Sequence, residues 1–193
     1  MSARFSNAEF ERRTSREARM AVVDRKIRGT AIVFNSRSVD LGGFTEIILP
    51  EAIDRTLREG LDVRALVDHE SGKVIGRTKA GTLLLRKTRK GLEVEIDPPD
   101  TSYARDLLES VERGDISGMS FGFRVVSDEW RMLDGEAVRE VTDMIVSEVS
   151  VVAFPAYEAT DVSVAQRSLQ SFLAADPVRI EQQRRRLQIL SLR

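Results

Sequence analysis

Residues 114–125 read GDISGMSFGFRV and contain Gly118-Met119-Ser120-Phe121-Gly122, a G-x-S-x-G of the kind that carries the nucleophilic serine of many hydrolases. In an α/β-hydrolase that serine sits on a sharp turn from strand to helix, and the histidine follows it in the chain. Here the motif continues as Phe123-Arg124-Val125-Val126, a β-forming run, and the histidine comes earlier, at His69. Both departures count against that architecture and place Ser120 on or at the end of a strand. A short pattern with two free positions also arises by chance. Without partners, Ser120 reads better as a small residue in a tightly packed strand flanked by glycines than as a nucleophile.

Working outward, short β-rich runs precede the motif: 27–35 (IRGTAIVFN), 44–49, 62–67, 73–78, 82–87 and 92–97, separated by Gly, Asn, Asp and Pro. Two helical segments interrupt them. One spans 50–60, with Pro50 at its start and Gly60 at its stop, and the other spans 101–114, ending at Gly114. After the motif, an Asp134-Gly135 pair predicts a hairpin, 144–154 (MIVSEVSVVAF) a buried strand, and 161–165 (DVSVA) a last short strand. The fold expected is α+β, a mostly antiparallel, barrel-like sheet with flanking helices. A single domain over 26–168 is expected. Before it, 1–25 is polar and rich in Arg and Glu and reads as a frayed helix or disordered, removable leader. After it, 169–193 reads as a basic amphipathic tail with Arg184, Arg185 and Arg186 among Ile and Leu.

The 193-residue chain has no cysteine, which removes disulfides, thiolate metal sites and cysteine nucleophiles together. Its charge is balanced at −1 although 32% of residues are charged, so no global field favours nucleic acid or an anionic membrane. No segment approaches the ~20 apolar residues of a membrane span. One histidine limits imidazole chemistry to His69, which falls at a strand end in ALVDHESGKVIGRT. With one histidine and no cysteine, neither a metal nor a cofactor is expected, and no phosphate-cradling or dinucleotide motif is present.

If Ser120 and His69 act together, a carboxylate must orient the imidazole. Glu148, Asp68, Glu70, Asp115 and Asp143 are the candidates. Strict alternation through IVSEVSVV places Ile145, Val149 and Val151 on one strand face, and Val146, Glu148, Ser150 and Val152 on the other. An acid among so many valines needs a partner. The residues alone leave Glu148 open between a triad acid and a structural ion pair with an arginine.

The ordered set GTAIVFNS, ILPEAIDRTL, LVDHESGKVIGRT, GTLLLRKTRKGLEVEIDPPDT, RGDISGMSFGFRV and MIVSEVSVVAFPAYEATDV resembles the prohead maturation proteases of tailed bacteriophages, serine peptidases related in fold to the herpesvirus assemblins. The resemblance runs from about Gly29 to Val164. It implies that the catalytic histidine is His69 in VDHE, that the catalytic serine is Ser120 in ISGMSFGF, and that the acidic strand motif falls on Glu148 with Pro155 and Ala156. Assemblins use Ser-His-His, and this chain has no second histidine, so Glu148 is the choice for the third position. The implied role is a serine endopeptidase of capsid maturation, cutting scaffold or major-capsid-protein extensions and itself, inside the procapsid in the host cytoplasm. The implied form is a dimer. The contrasting expectation is a non-catalytic assembly or scaffold module with the same fold.

Overall fold

Asp134 and Gly135 both take positive φ, 53° and 78°, which makes the two-residue turn expected from their sequence. The strands they join, β9 (Gly118–Leu133) and β10 (Glu136–Val152), are the longest among the described residues and organise the rest. This description rests on a computed structural model that describes residues 10–14, 20–153 and 163–190.

Before β9 come β1 (Glu11–Thr14), β2 (Met20–Val23), β3 (Lys26–Val33) and β4 (Phe44–Ile48), then a 3-10 turn (Pro50–Ile53) leading into α1 (Asp54–Arg58). Next are β5 (Arg64–Val67), β6 (Glu70–Arg77), β7 (Leu83–Lys87), β8 (Gly91–Ile96) and α2 (Ser102–Glu112). Two helices close the chain, α3 (Ser163–Ala174) and α4 (Pro177–Leu190). The strands make two sheets: β1-β9-β10-β5-β6, with β4 also paired to β10, and β2-β3-β8-β7.

The α+β class and the antiparallel bias agree with the sequence, and the barrel does not. Among the described residues the two sheets stay separate and neither closes on itself. The first sheet is also mixed. β10 is long enough to take two parallel neighbours in succession, β4 along Ala137–Val141 and β5 along Glu148–Val151. One contiguous core draws Ile27, Ile32, Leu92 and Ile96 from the smaller sheet, Phe121, Phe123 and Val149 from the larger, and Leu107 and Val111 from α2. A second cluster, built on Phe44, Leu169 and Leu173, seats α3 against the larger sheet.

Three other expectations change. Residues 11–14 and 20–23, inside the segment expected to be a frayed helix or disordered leader, are strands β1 and β2. The turn between β2 and β3 uses Asp24 and Arg25 at positive φ, without the glycine that would have marked it. The expected strand at 161–165 is helical from Ser163 onward, and 161–162 lie outside the described residues. Helix α3 runs through the boundary placed at 168/169. Among the described residues no helix is long and apolar enough to cross a membrane.

Candidate active site

Ser120 lies on β9, where the ladder sets it directly opposite Ser150 of β10 on one side and Thr14 of β1 on the other. Gly122, the second glycine of the motif, is opposite Glu148. Directly paired residues project to the same face of a sheet. Ser120, Ser150 and Glu148 therefore share one face, while Met119, Phe121 and Phe123 point the other way into the core.

Strict alternation had grouped Val146 with Glu148. The register shows otherwise, because Val146 pairs with Phe123 and Glu148 with the adjacent Gly122, leaving Ser147 as an extra residue in a bulge. The bulge turns Val146 into the core beside Val149 and keeps the next carboxylate out of it. Without that extra residue, either the valine or the acid would face the wrong environment.

His69 arrives from the opposite side of β10. Val67 pairs with Glu70, and Asp68 and His69 between them have φ of 44° and 59°, so β5 and β6 are joined by a two-residue loop with both central residues left-handed. Asp68 ties this loop to β10: its backbone N–H donates to the Val151 carbonyl at 2.9 Å, and its Oδ1 accepts from the Ala153 N–H at 3.0 Å. The imidazole is thereby brought to Glu148, with Nδ1 2.6 Å from Oε1. A carboxylate only accepts, so Nδ1 carries a proton, and in the neutral imidazole it is Nε2 that keeps the lone pair. Glu148 is 5% exposed, and Ser150 Oγ donates to its other oxygen at 3.4 Å.

The other acids considered are engaged elsewhere. Asp68 holds Ala153, Glu70 pairs with Lys73 at 2.9 Å, Asp115 with Arg113 at 3.0 Å, and Asp143 binds Arg55 through Nε at 3.0 Å. Glu148 is thus the one of the five that meets His69. Ser120 is 2% exposed, and its hydroxyl donates to the backbone carbonyl of Arg13 at 2.8 Å rather than to the imidazole. Pro155 and Ala156 lie outside the described residues.

Residues of β1 complete the surroundings, and nothing in their charged sequence marked them. Arg12 Nε lies 3.5 Å from Glu148 Oε1, the oxygen that also takes His69. Phe10 stacks under the Arg12 guanidinium and lies over Gly122. On the opposite face of β1, Glu11 and Arg13 enter a buried ion cluster. Arg13 Nε binds Glu46 Oε1 at 2.9 Å, Arg139 Nη1 binds Glu11 Oε2 at 2.9 Å and Glu46 Oε2 at 3.0 Å, and Arg139 Nε reaches Asp128 at 2.6 Å. Burial alone would lower the pKa of Arg139, but Glu46 and Glu11, with Asp128, outweigh it and hold the pKa above its ordinary value. Ser150 could have been found from the sequence, since it stands two residues from Glu148 on a strand.

The prohead protease of Enterobacteria phage HK97 is 30% identical to this chain over 139 residues, which cover 70% of this chain and 57% of that protein. The chain therefore spans just over half the length of that relative. No solved structure matches. The sequence model of the caudovirus prohead serine proteases matches residues 10–175, from the start of the described chain through α3, and with a match of that extent the chain belongs to the caudovirus prohead serine protease family.

Proposed function

We propose that the protein is a serine endopeptidase of phage capsid maturation, with Ser120 as nucleophile, His69 as general base and Glu148 as the group that orients the imidazole. The observation that carries this is the 2.6 Å contact of His69 Nδ1 with a buried carboxylate on the same sheet face as Ser120. Ser120 Oγ attacks the substrate carbonyl carbon while its proton passes to His69 Nε2, and the imidazolium returns that proton to the leaving amine. Water then repeats the sequence on the acyl-enzyme. Glu148 holds the tautomer that exposes Nε2 and stabilises the imidazolium. To enter this cycle, the Ser120 hydroxyl must exchange the Arg13 carbonyl for Nε2.

The HK97 relative is named for the prohead. By that likeness the substrates are scaffold or coat-protein extensions, met inside the procapsid in the host cell, and by the resemblance to the assemblins the working form is a dimer. A relation to the assemblins belongs to the same reading, with Glu148 where those enzymes carry a second histidine. Co-expression with the cognate coat protein, comparing wild type with Ser120→Ala by intact mass of both chains, tests it. Truncation of coat protein or protease in the wild type alone is expected. Identical masses from both co-expressions would instead favour a scaffold module.

A further inference from the structure

We propose that the edge of β9 from Ser120 to Phe123 is the seat of the substrate polypeptide, which adds there as an extended strand, and that β1 occupies this seat in the folded chain as an internal blocking strand. The proposal rests on Ser120 being the nucleophile.

Among the described residues β1 is the outermost strand of its sheet, and its four residues pair antiparallel with Phe123, Gly122, Phe121 and Ser120 in turn. If it leaves, that edge presents free N–H and C=O groups from alternate residues, since the others stay bonded to β10, and such groups are the means by which sheet edges take up extended peptides. The strand in place touches Ser120 and Glu148 directly. The Arg13 carbonyl accepts the Ser120 hydroxyl at 2.8 Å, which turns the proton away from His69. Arg12 lies 3.5 Å from the Glu148 oxygen that holds the imidazole, and Phe10 covers Gly122. A main-chain carbonyl held against the nucleophile is what a substrate supplies. Here the contact is a hydrogen bond to the carbonyl oxygen, and the 2% exposure of Ser120 leaves no room for a second peptide.

The anchor is separate from the block. Glu11 and Arg13 point to the other face, where they join Glu46 and Arg139. Because the two residues carry opposite charges, β1 can leave without changing the net charge of that cluster. Glu46, Asp128 and Arg139 remain paired with one another. Substrate must therefore compete with β1, and the apparent affinity falls by the fraction of molecules in which the edge is open.

The test uses the full chain in two released forms. Arg13→Pro removes a ladder donor from the strand. Glu11→Gln with Arg13→Gln takes out one charge of each sign and is the milder change. Each is mixed with a fluorescent twelve-residue peptide of residues 7–18 (NAEFERRTSREA), and binding is read by anisotropy, which needs no chemistry at Ser120. Separately, Ser120 is labelled with an alkyl fluorophosphonate and the site identified by mass. The released forms are expected to bind the peptide ~10-fold or more tightly than wild type and to label ~10-fold or more faster, with the peptide slowing their labelling. A folded released form that binds peptide and labels no better than wild type overturns the proposal. Peptide binding without labelling of Ser120 in any form would instead remove the nucleophile assignment and leave the occupied edge standing.

Discussion

Glu148 and Gly122 stand directly opposite each other across the β9–β10 ladder, and a Cβ on Gly122 would lie 2.7 Å from both Cγ and Oε1 of Glu148. The second glycine of G-x-S-x-G therefore serves here as space for the acid that holds His69, within a continuous strand. A serine motif associated with a strand-to-helix turn has been put to a different use.

Gly122→Ala is expected to lower activity more than stability. The added methyl would also meet Phe10 at 2.2 Å, but that ring end can swing aside, whereas Glu148 can give way only by moving off His69. Overpacking of this kind costs ~1–3 kcal/mol in stability. Thermal melts and coat-protein cleavage measured side by side check it, and full activity with a lowered melting temperature would contradict the spatial role.

Glu148→Gln keeps the size of the side chain and removes the charge that selects the Nδ1–H tautomer. Cleavage is expected to fall by roughly 10³–10⁴-fold, the order seen when a triad acid is made an amide. A loss below ~10-fold, with the fold intact by circular dichroism, would make the His69 contact structural only.

Arg139→Met should be among the most destabilising single changes in the chain. Arg139 is 1% exposed and serves Glu11, Glu46 and Asp128 together, so its removal leaves buried carboxylates short of a cation. Breaking a buried ion network by removing one partner costs about 3–5 kcal/mol. Urea unfolding reads this directly, and a shift of under ~1 kcal/mol would show the cluster to be hydrated.

Asp40 ties α4 to the sheet domain. Burial would raise its pKa, but the backbone N–H groups of Gly43 and Gly42 and the Arg186 guanidinium together hold it below the ordinary 3.8. A carboxyl whose pKa is lowered by folding contributes stability that is complete above its ordinary value and is lost as pH falls through the lowered one. Amide exchange in α4, taken relative to the intrinsic rate at each pH, should therefore speed up below about pH 4 in wild type. In Asp40→Asn it should already be faster at pH 7, because the ionic half of the Arg186 contact at 2.6 Å is gone. Equal α4 exchange in the two proteins at pH 7 would remove Asp40 as the tether.

What the sequence determined on its own was local. The β-rich runs from residue 27 to 97, the Asp134-Gly135 hairpin and the helices ending near Gly60 and Gly114 follow from period-two patterning, turn residues and helix stops, which act over a few neighbours. The same holds for His69, since the chain has one histidine and no cysteine, whereas Ser120 and Glu148 were singled out together by the family resemblance. The tertiary structure decided what depends on partners distant in the chain. His69 and Glu148 are 79 residues apart, and only the β5–β10 pairing brings them together. Glu11-Arg12-Arg13-Thr14 has no apolar alternation and reads as a solvated leader, yet it forms a strand because Glu46 and Arg139 satisfy its buried charges. The bulge at Ser147 has no local signature either. It exists because Val146 gains by entering the core and Glu148 by reaching an imidazole, and a strict two-residue period cannot provide both.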